Sequence, residues 1–190
     1  ARMLVAAKQH DSLQEMIVIA AFMGIADPRE RPADAKQAAD TAHRQFADSG
    51  SEFLAVIRLW RAYRQMHEEL SQSQLRKWCE RNYLSYLRMR EWRELHRQLL
   101  LTARELQWPL PEWPDIEARL EAAAQDTKAA ARHYQQIHRA VLAGLPTQIG
   151  HKNDKGLYAG PRQRRFAIFP ASPLAGQLPN WCLVGNLLDT

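Results

Sequence analysis

Through the first three quarters of the chain, apolar residues recur at the three- and four-residue steps of an α-helix. In the last quarter they shrink to brief runs broken by Gly and Pro. The chain opens within a helical pattern, "ARMLVAAKQH". Ser12 and Glu15 have the spacing of a capping box, ahead of Leu13, Met16, Ile17, Ala20 and Met23, which give a helix apolar on most sides. Pro28 and Pro32 make the next stretch a turn-rich connector, because each disfavours helix in its predecessor. An Ala-rich run from about Ala33 to Phe46 is expected to be helical and to end at "DSGS". Phe53, Ile57, Trp60 and Tyr63 place an aromatic stripe on a further helix. Ser71 or Ser73 caps the next, through Trp78 and Cys79, and a longer one carries Leu84, Leu87, Trp92, Leu95, Leu99 and Leu106. "WPLPEWP" is the clearest breaker. One more helix is expected from about Asp115 to Ala143, with Gly144 just past its end. About three strands follow, near Thr147–Gly150, Leu157–Phe169 and Trp181–Leu188.

The pattern predicts a mainly α fold with a small β part, divided as 1–144 and 145–190. Three strands alone make a poor independent sheet. With a start inside a helix and an end on a strand, the chain reads as a piece of a larger protein, cut through a β domain. Composition agrees with a folded domain: 190 residues, 46% hydrophobic and 25% charged. No uncharged run approaches the roughly 20 residues of a membrane span, and the N-terminus lacks the layout of a signal peptide. Cys79 and Cys182, far apart among apolar or aromatic neighbours, read as reduced thiols of a cytoplasmic protein.

A net charge of +5 permits a nucleic-acid partner without requiring one. Its distribution says more. Residues 74–107 carry a surplus of four positive charges and residues 147–190 a surplus of three, so the excess sits on one long helix and on the β loops. The connector "DPRERPADAKQAADTAHRQF" differs: eight charges sum to zero directly after the apolar run "MIVIAAFMGI".

Catalytic signatures are missing. No Gly-rich loop followed by Lys and Ser or Thr exists to cradle a nucleoside triphosphate, and no Gly-x-Ser-x-Gly elbow occurs. The seven histidines are scattered; His133 and His138 are five apart rather than the four that align ligands on a helix face. Glu91 with Arg88 and Glu94 with Arg97 have the spacing of a solvated, ion-paired face. No catalytic, cofactor or metal residue is assigned. Trp60, Trp78 and Trp92 fall on apolar helix faces and are expected in the core. The loops "HKNDKG" and "PRQRRF" set Lys and Arg beside Tyr158, Phe166 and Phe169. Two readings fit that mix, the rim of a single-strand-binding barrel or a solvated hairpin edge.

"DPRERPADAKQAADTAHRQFADSGSEFLAVIRLW" together with "WCERNYLSYLRMREWRELHRQL" closely resembles the helicase-associated region of bacterial DEAH-box RNA helicases. "AGLPTQIG", "YAGPRQRRFAIFPAS" and "WCLVGNLLDT" are similar to the opening of the oligonucleotide-binding (OB) fold that follows it in that family. The resemblance covers nearly the whole chain and is weakest between about 110 and 133. It implies a ratchet-like helical domain and a truncated OB fold, lying after a winged helix and two RecA-like motor domains that hold ATP and magnesium. In that layout the chain is non-catalytic and helps form the channel for single-stranded RNA. Its partners are RNA and the helicase's own domains, with no membrane. The family's motif places Gly24, Ala26, Asp27 and Pro28 at the channel edge with Arg31 nearby. Relatives often carry Ser where Gly24 stands, which leaves main-chain contact there. Lys152, Lys155, Arg164 and Arg165 would meet phosphates near the exit. The competing reading is a docking module whose basic surface meets protein partners or the ribosome and only braces the motor; for the 27–46 connector alone, the alternative is a domain-packing loop whose charges pair with one another.

Overall fold

A computed structural model of the chain describes residues 1–187. Eight α-helices are found among them, α1 (Arg2–Gln9), α2 (Leu13–Met23), α3 (Lys36–Arg44), α4 (Glu52–Glu69), α5 (Gln72–Arg81), α6 (Tyr86–Glu105), α7 (Trp113–Gln125) and α8 (Thr127–Gly144). Four short strands follow, β1 (Ile149–Lys152), β2 (Tyr158–Ala159), β3 (Arg165–Phe166) and β4 (Trp181–Leu183). The fold is mainly α with a partial β region, as the pattern predicts. The chain packs as two compact units, Ile17–Leu110 and Ala1–Met16 with Pro111–Thr190. No helix among the described residues is long and apolar enough to cross a membrane. Both cysteines are free and buried.

The Ile17–Leu110 unit is built around the apolar part of α2. Ile17, Val18, Ile19 and Ala21 are fully buried, which is why a helix apolar on most sides is stable here. α4 and α6 supply Ile57, Leu59, Trp60, Tyr63, Met89 and Trp92. The Trp60 and Trp92 rings lie 4.9 Å apart, and Trp92 Nε1 donates to the Val18 carbonyl at 3.0 Å. The starts of α4, α5 and α6 are each closed by a serine. Ser51 accepts from the Phe53 and Leu54 N–H groups, Ser71 forms a capping box with Gln74, and Ser85 accepts from Arg88 N–H.

In the other unit, α1 and α7 both pack on α8. The expected single helix from 115 to 143 is two. Asp126 is extended (φ −132°, ψ 125°) and ends α7, while its carboxylate accepts from the Lys128 and Ala129 N–H groups and starts α8. Gly144 is the last helical residue rather than the one beyond it, and a Cβ there would run into the Met3 side chain. The Ser12–Glu15 capping box does not form either. Ser12 N–H donates to Ala7 and its hydroxyl to the Gln136 carbonyl, while the buried Glu15 carboxylate meets His133 Nε2 at 3.1 Å and Arg119 Nη1 at 3.5 Å. Arg119 also grips Asp11 through its carboxylate and carbonyl. This polar cluster ties the α1–α2 turn to α7 and α8.

The sheet is antiparallel throughout, in the order β3-β2-β1-β4. The expected long strand from 157 to 169 is a hairpin of two short ones, turned at Pro161–Gln163. The last strand stops at Leu183; Leu188, where it was expected to end, lies outside the described residues. Tyr158 and Phe166 stack at 5.4 Å on the inner face, over Gly150, where a Cβ would come within 2.5 Å of the Phe166 ring. Glycine at 150 is what lets this aromatic pair lie flat on β1.

Candidate nucleic-acid interface

The sequence singles out two places, one in each unit. The first is the end of α2 and the connector behind it. Gly24 and Ile25 N–H groups fold back onto the Ala21 and Phe22 carbonyls, which tightens the last turn. Gly24, Ala26 and Asp27 are exposed and Pro28 is buried. A Cβ on Gly24 would stand 2.5 Å from Leu95 Cδ2, so a larger residue needs that leucine to swing aside.

Beyond Ala26 the connector is tied down. Glu30 N–H donates to the Tyr83 carbonyl, Ser85 N–H to that of Pro28, and Arg88 to that of Asp27. The expected Arg88–Glu91 ion pair is not found among the described residues; Glu94 and Arg97 do pair, at 2.8 Å. Arg29 holds both Asp27 carboxylate oxygens, reaches Glu52 at 3.3 Å and lies over the Phe22 ring. Burial opposes its charge, but the Asp27 and Glu52 carboxylates outweigh that and raise its pKa. Arg31 makes a bidentate pair with Asp40 at 2.7 and 2.9 Å, which holds the Asp40 carboxyl below its ordinary range. Arg29 and Arg31 are thus already committed to acids, Arg29 to Asp27 and Glu52 and Arg31 to Asp40. Gly24, Ala26 and Asp27 form one exposed segment of this stretch, and residues 30–34 and 36–38 are exposed as well.

The second place is the sheet and its loops. Asn153 closes the β1–β2 turn by accepting from the Lys155 and Leu157 N–H groups, with Gly156 at φ +76°, a conformation that suits glycine. Lys152 belongs to the inner face, where its Nζ donates to the Leu178 carbonyl at 2.8 Å, while Lys155 is exposed. The β2–β3 hairpin is closed by Gly160 N–H to the Arg164 carbonyl at 2.8 Å, with Arg162 and Gln163 in the left-handed region. Arg162, Arg164 and Arg165 are exposed, and none has a side-chain hydrogen bond or ion pair among the described residues. The hairpin therefore brings Arg164 and Arg165 together with Arg162, a residue the sequence reading left aside, and separates them from Lys152.

Register creates a further grouping. Arg165 pairs with Ala159, Ala159 with His151, and His151 with Trp181, so these four form one row across all four strands. Residues directly opposite in antiparallel strands project to the same face, and this is the face opposite Tyr158 and Phe166. All four are exposed, Trp181 to 66%. The Trp181 and His151 rings are 4.6 Å apart. Trp60 and Trp92, by contrast, are in the core as their helical spacing predicts. Among the described residues no group of three or more His, Cys, Asp or Glu is arranged to hold a metal.

Residues 1–82 match the family described as helicase associated domain (HA2), ratchet-like. Over its whole length the chain is 38% identical to the ATP-dependent RNA helicase HrpA homolog of Haemophilus influenzae and 38% identical to the ATP-dependent RNA helicase HrpA of Escherichia coli K12. It spans 13% of the length of each.

Proposed function

We propose, from the premise that the chain belongs to the family of HrpA-type helicases and carries their ratchet-like helicase-associated domain, that it forms part of a channel for single-stranded RNA. It would be a non-catalytic segment of an ATP-dependent RNA helicase of the cytoplasm, with ATP and magnesium held by motor domains elsewhere in the whole protein. The chain's lack of a phosphate-cradling loop is consistent with that division. Residues 1–144 would be the ratchet-like part and 145–190 the beginning of an OB-type domain.

The observation that carries the reading is the cluster of Arg162, Arg164 and Arg165 on one hairpin tip, exposed and without acidic partners among the described residues. Unpaired guanidinium groups at a sheet edge suit phosphates, which they bind in bidentate fashion. The 27–31 connector supports a different role. Its arginines are paired with Asp27, Glu52 and Asp40, which favours bracing against a neighbouring domain, such as the winged helix or a motor domain, over phosphate contact. Any RNA contact there would be to the main chain near Gly24, Ala26 and Asp27.

Titration of a labelled single-stranded RNA at several salt concentrations tests the proposal. With Lys155 and the three arginines in play, four phosphate contacts give a log–log salt slope of about −3 at most. Replacing Arg164 and Arg165 with Ala should flatten the slope by about one and weaken all sequences alike. Replacing Arg31 should change little. Binding that ignored the Arg164/Arg165 change and vanished with Arg31→Ala would reverse the assignment of the two surfaces.

A further inference from the structure

We propose that the outer face of the sheet is a stacking platform for an unpaired base, with Trp181 and His151 as the platform and Arg165 as the anchor for an adjacent phosphate. The proposal rests on the RNA reading above and adds to it the residues that would hold a base rather than a phosphate. Three observations carry it. Trp181 is a large aromatic side chain, 66% exposed, on a strand whose next residue, Cys182, is buried. A tryptophan in that setting forgoes the burial that normally holds it, and its ring meets only that of His151 among the described residues. Second, the two rings are neighbours because β1 and β4 pair in the register that sets His151 opposite Trp181. Third, the same row ends in Arg165 on the far edge strand, beside Arg164, with the small Ala159 between.

The strands of a sheet are about 4.8 Å apart, so the row runs roughly 14 Å from Trp181 to Arg165. Ala159 leaves the middle of the row low, and the Arg165 cation stands at one end with aromatic rings at the other. Proteins that hold single strands without sequence preference combine these two features, because every base has a π face and every nucleotide a phosphate. An acidic peptide would satisfy the arginines but would leave the rings without a flat partner, so single-stranded nucleic acid fits the whole row better.

A comparison of two RNA strands tests this on the full chain, by fluorescence anisotropy at fixed low salt. One strand carries bases; the other has the same length and phosphates but is abasic. The intact chain should bind the base-bearing strand about fivefold or more tightly than the abasic one. Trp181→Ala should remove that preference while leaving abasic binding and the salt slope as they were. Trp181→Phe should keep most of it, since a ring remains, and this variant guards against a strand that has simply come apart. Arg164→Ala with Arg165→Ala should weaken both strands together. If Trp181→Ala leaves the preference for bases intact, the platform is wrong and the phosphate-binding hairpin stands. If the chain binds neither strand, both readings fall. Loss of self-association in Trp181→Ala with no change in RNA binding would also overturn the platform, marking the face as a protein contact instead.

Discussion

His96 shows how a single side chain can carry a pH dependence that its position in sequence does not announce. It sits on α6 among the core residues, its ring 4.5 Å from that of Trp60, and its Nε2 finds no hydrogen-bond partner among the described residues. Burial, reinforced by the positive charge of Arg64, lowers its pKa to about 4. The folded protein therefore keeps this imidazole neutral at pH values where the unfolded chain, with an ordinary histidine pKa near 6.5, takes up a proton. Stability is complete above about pH 6.5 and falls as the pH drops from there towards 4. Between pH 7 and pH 5 the loss from this group should be about 2 kcal/mol. Urea unfolding at the two pH values, for the natural chain and for His96→Leu, isolates it. The variant should lose about 2 kcal/mol less than the natural chain over that interval. An equal loss in both would mean that water reaches the imidazole. His133 is buried as well, but its Nε2 meets the Glu15 carboxylate, which Arg119 also reaches.

At the scale of elements, local chemistry was readable where a short stretch settles the matter. The serines ahead of α4, α5 and α6 cap those helices because the groups they satisfy are only two or three residues away. The aromatic stripe of α4 was equally plain, since its spacing alone directs Trp60 and Tyr63 inward. What failed was the join between α7 and α8. "EAAAQDTKAAA" is rich in good helix formers, and nothing in its propensity stops a helix. The break exists because Asp126 leaves the helical region and caps the next helix, and packing of α7 back onto α8 rewards the turn. If so, Asp126→Ala should cost about 1 kcal/mol in thermal or urea unfolding, the usual value of an N-cap, while Asp126→Asn costs much less. Equal costs would mean that the carboxylate's charge rather than its capping bonds matters there. Ser12 and Glu15 failed in the opposite direction, for a local capping signal was overridden by a partner 118 residues away. The candidate interface divides in the same way. Arg164 and Arg165 stand out as a basic run in any reading of the sequence. Trp181 does not, because its pairing with His151 depends on the register of two strands that are thirty residues apart.

The whole molecule adds a constraint that neither scale contains. The Ile17–Leu110 unit is one continuous stretch, whereas the other is made from Ala1–Met16 and the chain after Leu110. That second unit closes only when α1 returns to α8, burying Ala6 and Ala7 on one side and Ile137, Ala140 and Val141 on the other. Its sheet consists of strands two to four residues long, with β3 and β4 as edges, so it has few ladder hydrogen bonds to resist opening. The tryptophan-rich core of α4 and α6 has no such weakness. Amide hydrogen exchange should therefore report two levels of protection, slow in 86–105 and faster in 149–183. Removing residues 1–10 gives the sharper test. α8 would lose the helix α1 that packs on it, and its amides should exchange faster, together with those of α7. The α4 and α6 amides should keep their rates, because both helices belong to the Ile17–Leu110 unit. If the truncation left α8 fully protected, α1 would not close the unit. If α4 and α6 opened along with it, the two units would unfold as one, and the helical region would behave as a single cooperative body.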